Sequence, residues 1–258
     1  MNHEKINEQL DELYKKHWHE LSNKLKKYNQ ENELKASHPL LLKLGQHFKN
    51  FDFNNRGGQK IVMCFGQETN GNGGEFLGEL KGYEELINQQ NCSKRYAKEK
   101  FTKSHKNYHR WCGVIAHRWL KEKSQELFNT NSENVFVIWN NIRKISTTTN
   151  TVQRGKIGSG LKEITETYFK VIPQELEIIK PDLLFFCTGN NDADIERFIG
   201  NIENEKPLYK FSTSKGEGNL RCFTINGYKA VRGYYPKLNS AYWKEQKNVI
   251  LKEKFFLV

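Results

Sequence analysis

The chain has 258 residues, 36% of them hydrophobic and 12% aromatic, which is enough to close one large core and too apolar for a disordered chain. Lys and Arg number 41 against 30 Asp and Glu, a net charge of +11 that favours a polyanionic partner over mere solubility, because neutralising phosphates releases counterions. Five cysteines without a C-x-x-C pair argue against a disulfide framework, a zinc ribbon and an iron–sulfur cluster, and the chain lacks an apolar run long enough to span a bilayer.

Residues 1–50 read as a helical extension packed on the core, and residues 51–258 as the main domain. Leu10, Leu13, Trp18, Leu21 and Leu25 recur near helical spacing, and His38-Pro39 reads as a break before a second helical run at LLLKLG. The charged first twenty residues lack the apolar stretch of a signal peptide, so the cytoplasm is the expected compartment. NNRGG at 54–58 is a loop. KIVMCFGQ at 60–67 is a short apolar run followed by Gly, the pattern of a buried strand with Cys64 as a small core residue. Residues 78–125 read as mostly helical and basic, with Tyr96, Phe101, Tyr108, Trp111 and Trp119 interleaved. There His105 and His109 have the i, i+4 spacing of metal ligands, but no H-E-x-x-H and no acidic third ligand accompany them, so no metal is expected.

A second strand is expected at NVFVIWN, 134–140, followed by a long polar loop at about 142–160. Residues 161–179 read as helix, and KPDLLFFCTGN at 180–190 as a third strand with Cys187 in its core. DADIERFIGNI opens with acids suited to a helix N-terminus. NLRCFTING and YKAVRGYYP form a strand pair with Asn226-Gly227 as its turn, and 239–254 a closing helix. Strands alternating with helices predict an α/β fold, a three-layer α/β/α sandwich around a parallel-dominated central sheet. In such sheets ligands bind beyond the carboxyl ends of the strands. The unusual polar segments fall there: GQETNGNGGEF, NNIRK, TGNND and YYPKLNS.

In order and spacing those segments resemble the uracil-DNA glycosylase superfamily from about residue 60 to 250. GQETNG is similar to its first motif, variants of which read G-Q-D-P-Y-H or G-x-N-P-G. NVFVIWNN is similar to its second strand, which ends in asparagine, KPDLLFFCTGN to its third, and YYPKLNS to its H-P-S-x-x-S motif. Thr69 stands in place of the motif proline, Gly71 in place of the loop histidine, and Tyr235 in place of the histidine that supports charge on the departing base. Tyr235 offers a hydrogen bond but is no ready cation at neutral pH.

The resemblance implies a monofunctional DNA glycosylase, acting as a monomer without metal or organic cofactor, that hydrolyses the N-glycosidic bond of a flipped-out base. Cleavage of that bond develops positive charge on the sugar and negative charge on the base. Glu68 falls on the family's catalytic carboxylate or amide position, suited to stabilising the sugar cation or orienting water; a strand-end carboxylate capping amides is the bland alternative. Asn70 and Tyr235 complete the expected catalytic set. Asn140 falls on the base-reading asparagine, whose amide offers a donor and an acceptor to a base edge; Asn141 takes that role if the register slips by one. Gln67 contacts base or backbone through its amide or is a turn residue, Gly66 and Gly71 permit close backbone approach to phosphate or sugar, and Phe76 stacks on the base or folds into the core. Lys144, Arg154 and Lys156 read as phosphate contacts in the polar loop, or as a solvated surface. Lys237, Leu238, Asn239 and Ser240 read as the DNA-facing rim, with Leu238 either a contact at the start of the closing helix or a wedge between bases. Asn70 stands where the uracil-specific branch carries a bulky tyrosine, which implies a roomier pocket, a modified base and a possible place in phage defence. The alternatives are a catalytically degenerate module of the same fold that grips DNA or a modified base, and a hydrolase of free nucleosides.

Overall fold

A computed structural model describes residues 1–68, 112–148, 159–189, 192–213, 216–233 and 241–253. The chain opens with α1, His3–Glu31, capped by the Asn2 side chain, which accepts from the Lys5 amide at 3.0 Å. Its buried stripe runs Ile6, Leu10, Tyr14, Trp18, Leu21 and Leu25, one residue every turn. Leu13, expected in the stripe, is only partly buried, and Tyr14 takes the central position.

The second helical run expected at LLLKLG is not a helix. After the short strand β1, Lys35–Ala36, the chain stays extended beneath α1. Its amides find separate partners: Ser37 donates to the Ser146 carbonyl, Leu40 to the Lys144 carbonyl, Leu42 to the Tyr14 hydroxyl and Leu44 to Asn7 Oδ1. Those bonds replace the helical ladder, so Leu40, Leu41, Leu42 and Leu44 can all be buried.

The main sheet takes its order from six strands: β2 (Lys60–Glu68), β3 (Val135–Arg143), β5 (Leu183–Phe186), β6 (Ile202–Thr213), β7 (Gly216–Ile225) and β8 (Tyr228–Arg232). The order across it is β3-β2-β5-β8-β7-β6. The first four are mutually parallel, β7 runs antiparallel to β8 and β6 antiparallel to β7, so the sheet is mixed and mostly parallel. A two-residue strand, β4 (Thr147–Thr148), pairs with β1 in a separate small sheet. Helices cover both faces. Ile61, Met63 and Phe65 of β2 point into the layer of α1, α4 (Ser159–Tyr168), α5 (Ile172–Ile179) and α6 (Asp192–Phe198). Val62 and Cys64 point the other way, to α2 (Cys112–Glu122), α3 (Ser124–Phe128) and α7 (Ala241–Lys252). Alternation along a strand divides the core in this way.

The expected hairpin is present: Asn226 and Gly227 have φ of 49° and 77°, the twin positive values of a type I′ turn. The single helix expected at 161–179 is broken into α4 and α5, with Pro173 seated in the first turn of the second. Strand β6 escapes sequence reading because it is the edge strand; its residues from Glu203 to Pro207 are exposed and carry no apolar run. Cys64, Cys187 and Cys222 are buried free thiols. Among the described residues no helix is long and apolar enough to cross a membrane.

His117 on α2 titrates low. Burial first, and then the charges of Lys121, His47 and Arg118, push it from 6.5 to about 4. A folded-state value below the unfolded one means the fold favours neutral imidazole, so its contribution is complete above pH 6.5 and lost as pH falls toward 4. Urea unfolding across that window should lose on the order of 2 kcal/mol from this group, and His117→Gln should flatten the slope. An unchanged slope in the variant refutes the assignment.

Candidate functional site at the carboxyl edge of the sheet

The second parallel strand lies on one side of β2 and the third on the other, so the direction of winding reverses between β2 and β5. Such a reversal opens a crevice beyond the strand ends, where α/β sheets bind ligands. Four strand ends meet there: Gly66–Glu68 of β2, Asn141–Arg143 of β3, Cys187–Gly189 after β5, and Arg232–Gly233 of β8.

On the face toward α2 and α7 these ends form a row. Gly66 is the register partner of Asn141, the Cys187 amide donates to the Phe65 carbonyl, and the Gly233 amide donates to the Phe186 carbonyl. Gly66 is required by its neighbours: a Cβ there would meet Asn141 Oδ1 at 2.5 Å and the Trp139 ring at 2.6 Å. At the other end of the row the buried Gln246 of α7 lies over Gly233, with Oε1 the nearest atom to any added Cβ. Two glycines and a cysteine thus make a flat floor with a primary amide at each end. Trp139 and Asn141 lie over Gly66, and Gln246 lies over Gly233, so the row carries two primary amides, a group that has both a donor and an acceptor.

Asn140, expected as the base reader, is not in that row. It projects from the opposite face, is fully buried, and has every polar position engaged. Its Oδ1 accepts from Lys144 Nζ at 2.6 Å and from the Asn141 amide at 2.8 Å, while Nδ2 donates to Glu175 Oε2 at 2.9 Å and lies 3.6 Å from the Met63 sulfur. Lys144, expected to touch phosphate from a loop, is likewise a core residue with 1% of its side chain exposed. Its ammonium bonds Glu175 Oε1 at 2.7 Å, and Tyr14 donates to the same oxygen at 2.6 Å. The loop reading failed because β3 runs on to Arg143 and segment 37–44 then covers Lys144.

A second group of charges surrounds the first turn of α6. Asp194 pairs with Arg143 and lies 3.8 Å from Lys162 Nζ of α4. Asp192 pairs with Arg232 of β8 and lies 3.6 Å from Arg221 of β7. Sequence reading recognised the acids only as helix starters and did not single out the arginines. An arginine closing an otherwise apolar strand, as in YKAVRG, was the available signal.

Of the other expected site residues, Gly66 and Gln67 end β2 as read, and the backbone of Glu68 is in register with Arg143. Asn70, Gly71, Phe76, Arg154, Lys156, Tyr235, Lys237, Leu238, Asn239 and Ser240 lie outside the described residues, as do His105 and His109. Among the described residues no group of three His, Cys, Asp or Glu side chains is arranged to hold a metal. No protein-family model matches the chain, and no curated protein sequence matches it.

The buried network makes a test of its own. Lys144→Met or Glu175→Gln should each cost about 3–5 kcal/mol in urea unfolding, since each leaves a buried partner uncompensated. The double change Lys144→Met with Glu175→Leu should cost less than the sum of the two single losses. Simple additivity would mean the pair is not coupled.

Proposed function

We propose that this protein is a DNA glycosylase that hydrolyses the N-glycosidic bond of an everted, modified base at the carboxyl edge of its sheet. The observation that carries this reading is the amide of Asn141 lying over Gly66 at the winding reversal, two residues before Glu68 on the same strand. The net charge of +11 supports a polyanionic substrate, and the four motifs that resemble the uracil-DNA glycosylase superfamily support the reaction class.

In this reading Asn141, not Asn140, reads the base edge, and Gln246 closes the far end of the floor. Glu68 stabilises the cationic sugar or orients the attacking water. Tyr235 donates to the departing base, a weaker form of stabilisation than a cation would supply. Asn70, standing where the uracil-specific branch carries a tyrosine, suits a substrate with a substituent on the base, and hence removal of modified bases from foreign DNA and a phage-defence role. A second reading, a binding module that holds DNA without cutting it, is favoured by one feature: Asn140, aligned with the family's base reader, is spent in the core.

Purified protein incubated with duplexes bearing uracil, hydroxymethylated or glucosylated cytosine should yield abasic sites on at least one. Glu68→Gln should cut the rate by at least about 100-fold without loss of DNA affinity, the scale of a lost transition-state group. Asn141→Ala should raise KM or change base preference at unchanged folded stability. If no duplex yields an abasic product while the folded protein binds DNA, the module reading replaces the enzyme.

A further inference from the structure

The guanidinium of Arg232 is fully buried at the carboxyl end of the fourth parallel strand, and apart from the pairing of Nη1 with Asp192 its nitrogens make no hydrogen bond. Its recorded ion pair is to Asp192, whose side chain is 36% exposed and which also faces Arg221. Arg221 and Arg232 are register partners on adjacent strands. Like charges set side by side repel, and burial of one makes the arrangement costlier. Thr188 adds a second unmet group. It lies two residues beyond Phe186, the register partner of Arg232, and its hydroxyl is buried with no partner. Arg221 also pairs with Glu205, so the unmet donors are those of Arg232 and the Thr188 hydroxyl, more than the Asp192 carboxylate can satisfy. A tetrahedral oxyanion, with more acceptor oxygens and more charge, suits them better.

We propose that Arg232, Arg221 and Thr188 form a binding site for a phosphate group, and that the Asp192 carboxylate occupies it as a built-in stand-in until phosphate displaces it. Asp192 fits that part because it enters from the first turn of the short helix α6 rather than from the sheet. Burial draws the Arg232 pKa down to about 10, which still leaves the guanidinium charged at neutral pH. The site lies at the same strand ends as the amide-flanked row but on the opposite face of the sheet, and it does not depend on the glycosylase reading.

Calorimetric titration of the full chain with inorganic phosphate tests it. Asp192→Asn, nearly isosteric and uncharged, should bind phosphate about tenfold more tightly than the unaltered protein, because the competing charge is gone. Thr188→Val should weaken binding severalfold, and Arg232→Gln should abolish it. If Arg232→Gln fails to fold, the first two variants still decide. Displacement of phosphate by a short oligodeoxynucleotide assigns the group to a polynucleotide, and displacement only by a nucleoside monophosphate assigns it to a free nucleotide; either result supports the site. Phosphate that binds the Asp192→Asn variant no better than the unaltered chain, or binds neither, overturns it. Because binding is read without turnover, a failed glycosylase assay does not bear on this outcome.

Discussion

The interaction on which the rest of the structure depends is the buried ion pair between Lys144 and Glu175. Taking two charges out of water is costly, and the pair survives in the core only because other groups meet its remaining donors and acceptors. Tyr14 from α1, Asn140 from β3 and the Leu42 amide from the extended segment join the network directly or through one atom. Four parts of the chain are therefore positioned by one set of hydrogen bonds. A network of this kind cannot be half satisfied without penalty, so it fixes the register of α1, segment 37–44, β3 and α5 against one another.

That network also governs what the carboxyl edge can offer a ligand. A strand turns each successive side chain to the opposite face. Once Asn140 is drawn into the core, Asn141 must emerge on the other face, beside Gly66. The glycine is there because two side chains of β3, Trp139 and Asn141, occupy the space a Cβ would need. The structural requirement on one face and the available chemistry on the other are thus linked by a single residue step.

The electrostatics of the same edge follow a different logic. The first turn of α6 brings two aspartates among cations from β3, α4, β7 and β8. The Asp194 cluster is compact and shared by groups that bury one another. The Asp192 cluster is uneven, with a wholly buried guanidinium against a partly exposed carboxylate. This imbalance distinguishes a place that could exchange its anion from one that holds the fold together.

Much of the architecture was legible in the residues alone. Apolar runs at 60–67, 134–140 and 180–190, the Asn226-Gly227 turn and the alternation of strands with helices are local signals, and each arises from burial or backbone preference within a few residues. Composition likewise announced a basic protein with free, buried thiols. Two kinds of information were not local. The fate of LLLKLG, Asn140 and Lys144 depended on partners 28 to 35 residues away, which turned an expected helix into an extended strap and expected surface groups into core. The charges around Asp192 were equally hidden, because pairing of β7 with β8 and the reach of α6 over their ends bring them together only in three dimensions. Periodicity encodes which residues avoid water; which polar groups share that interior is decided by contacts between distant segments.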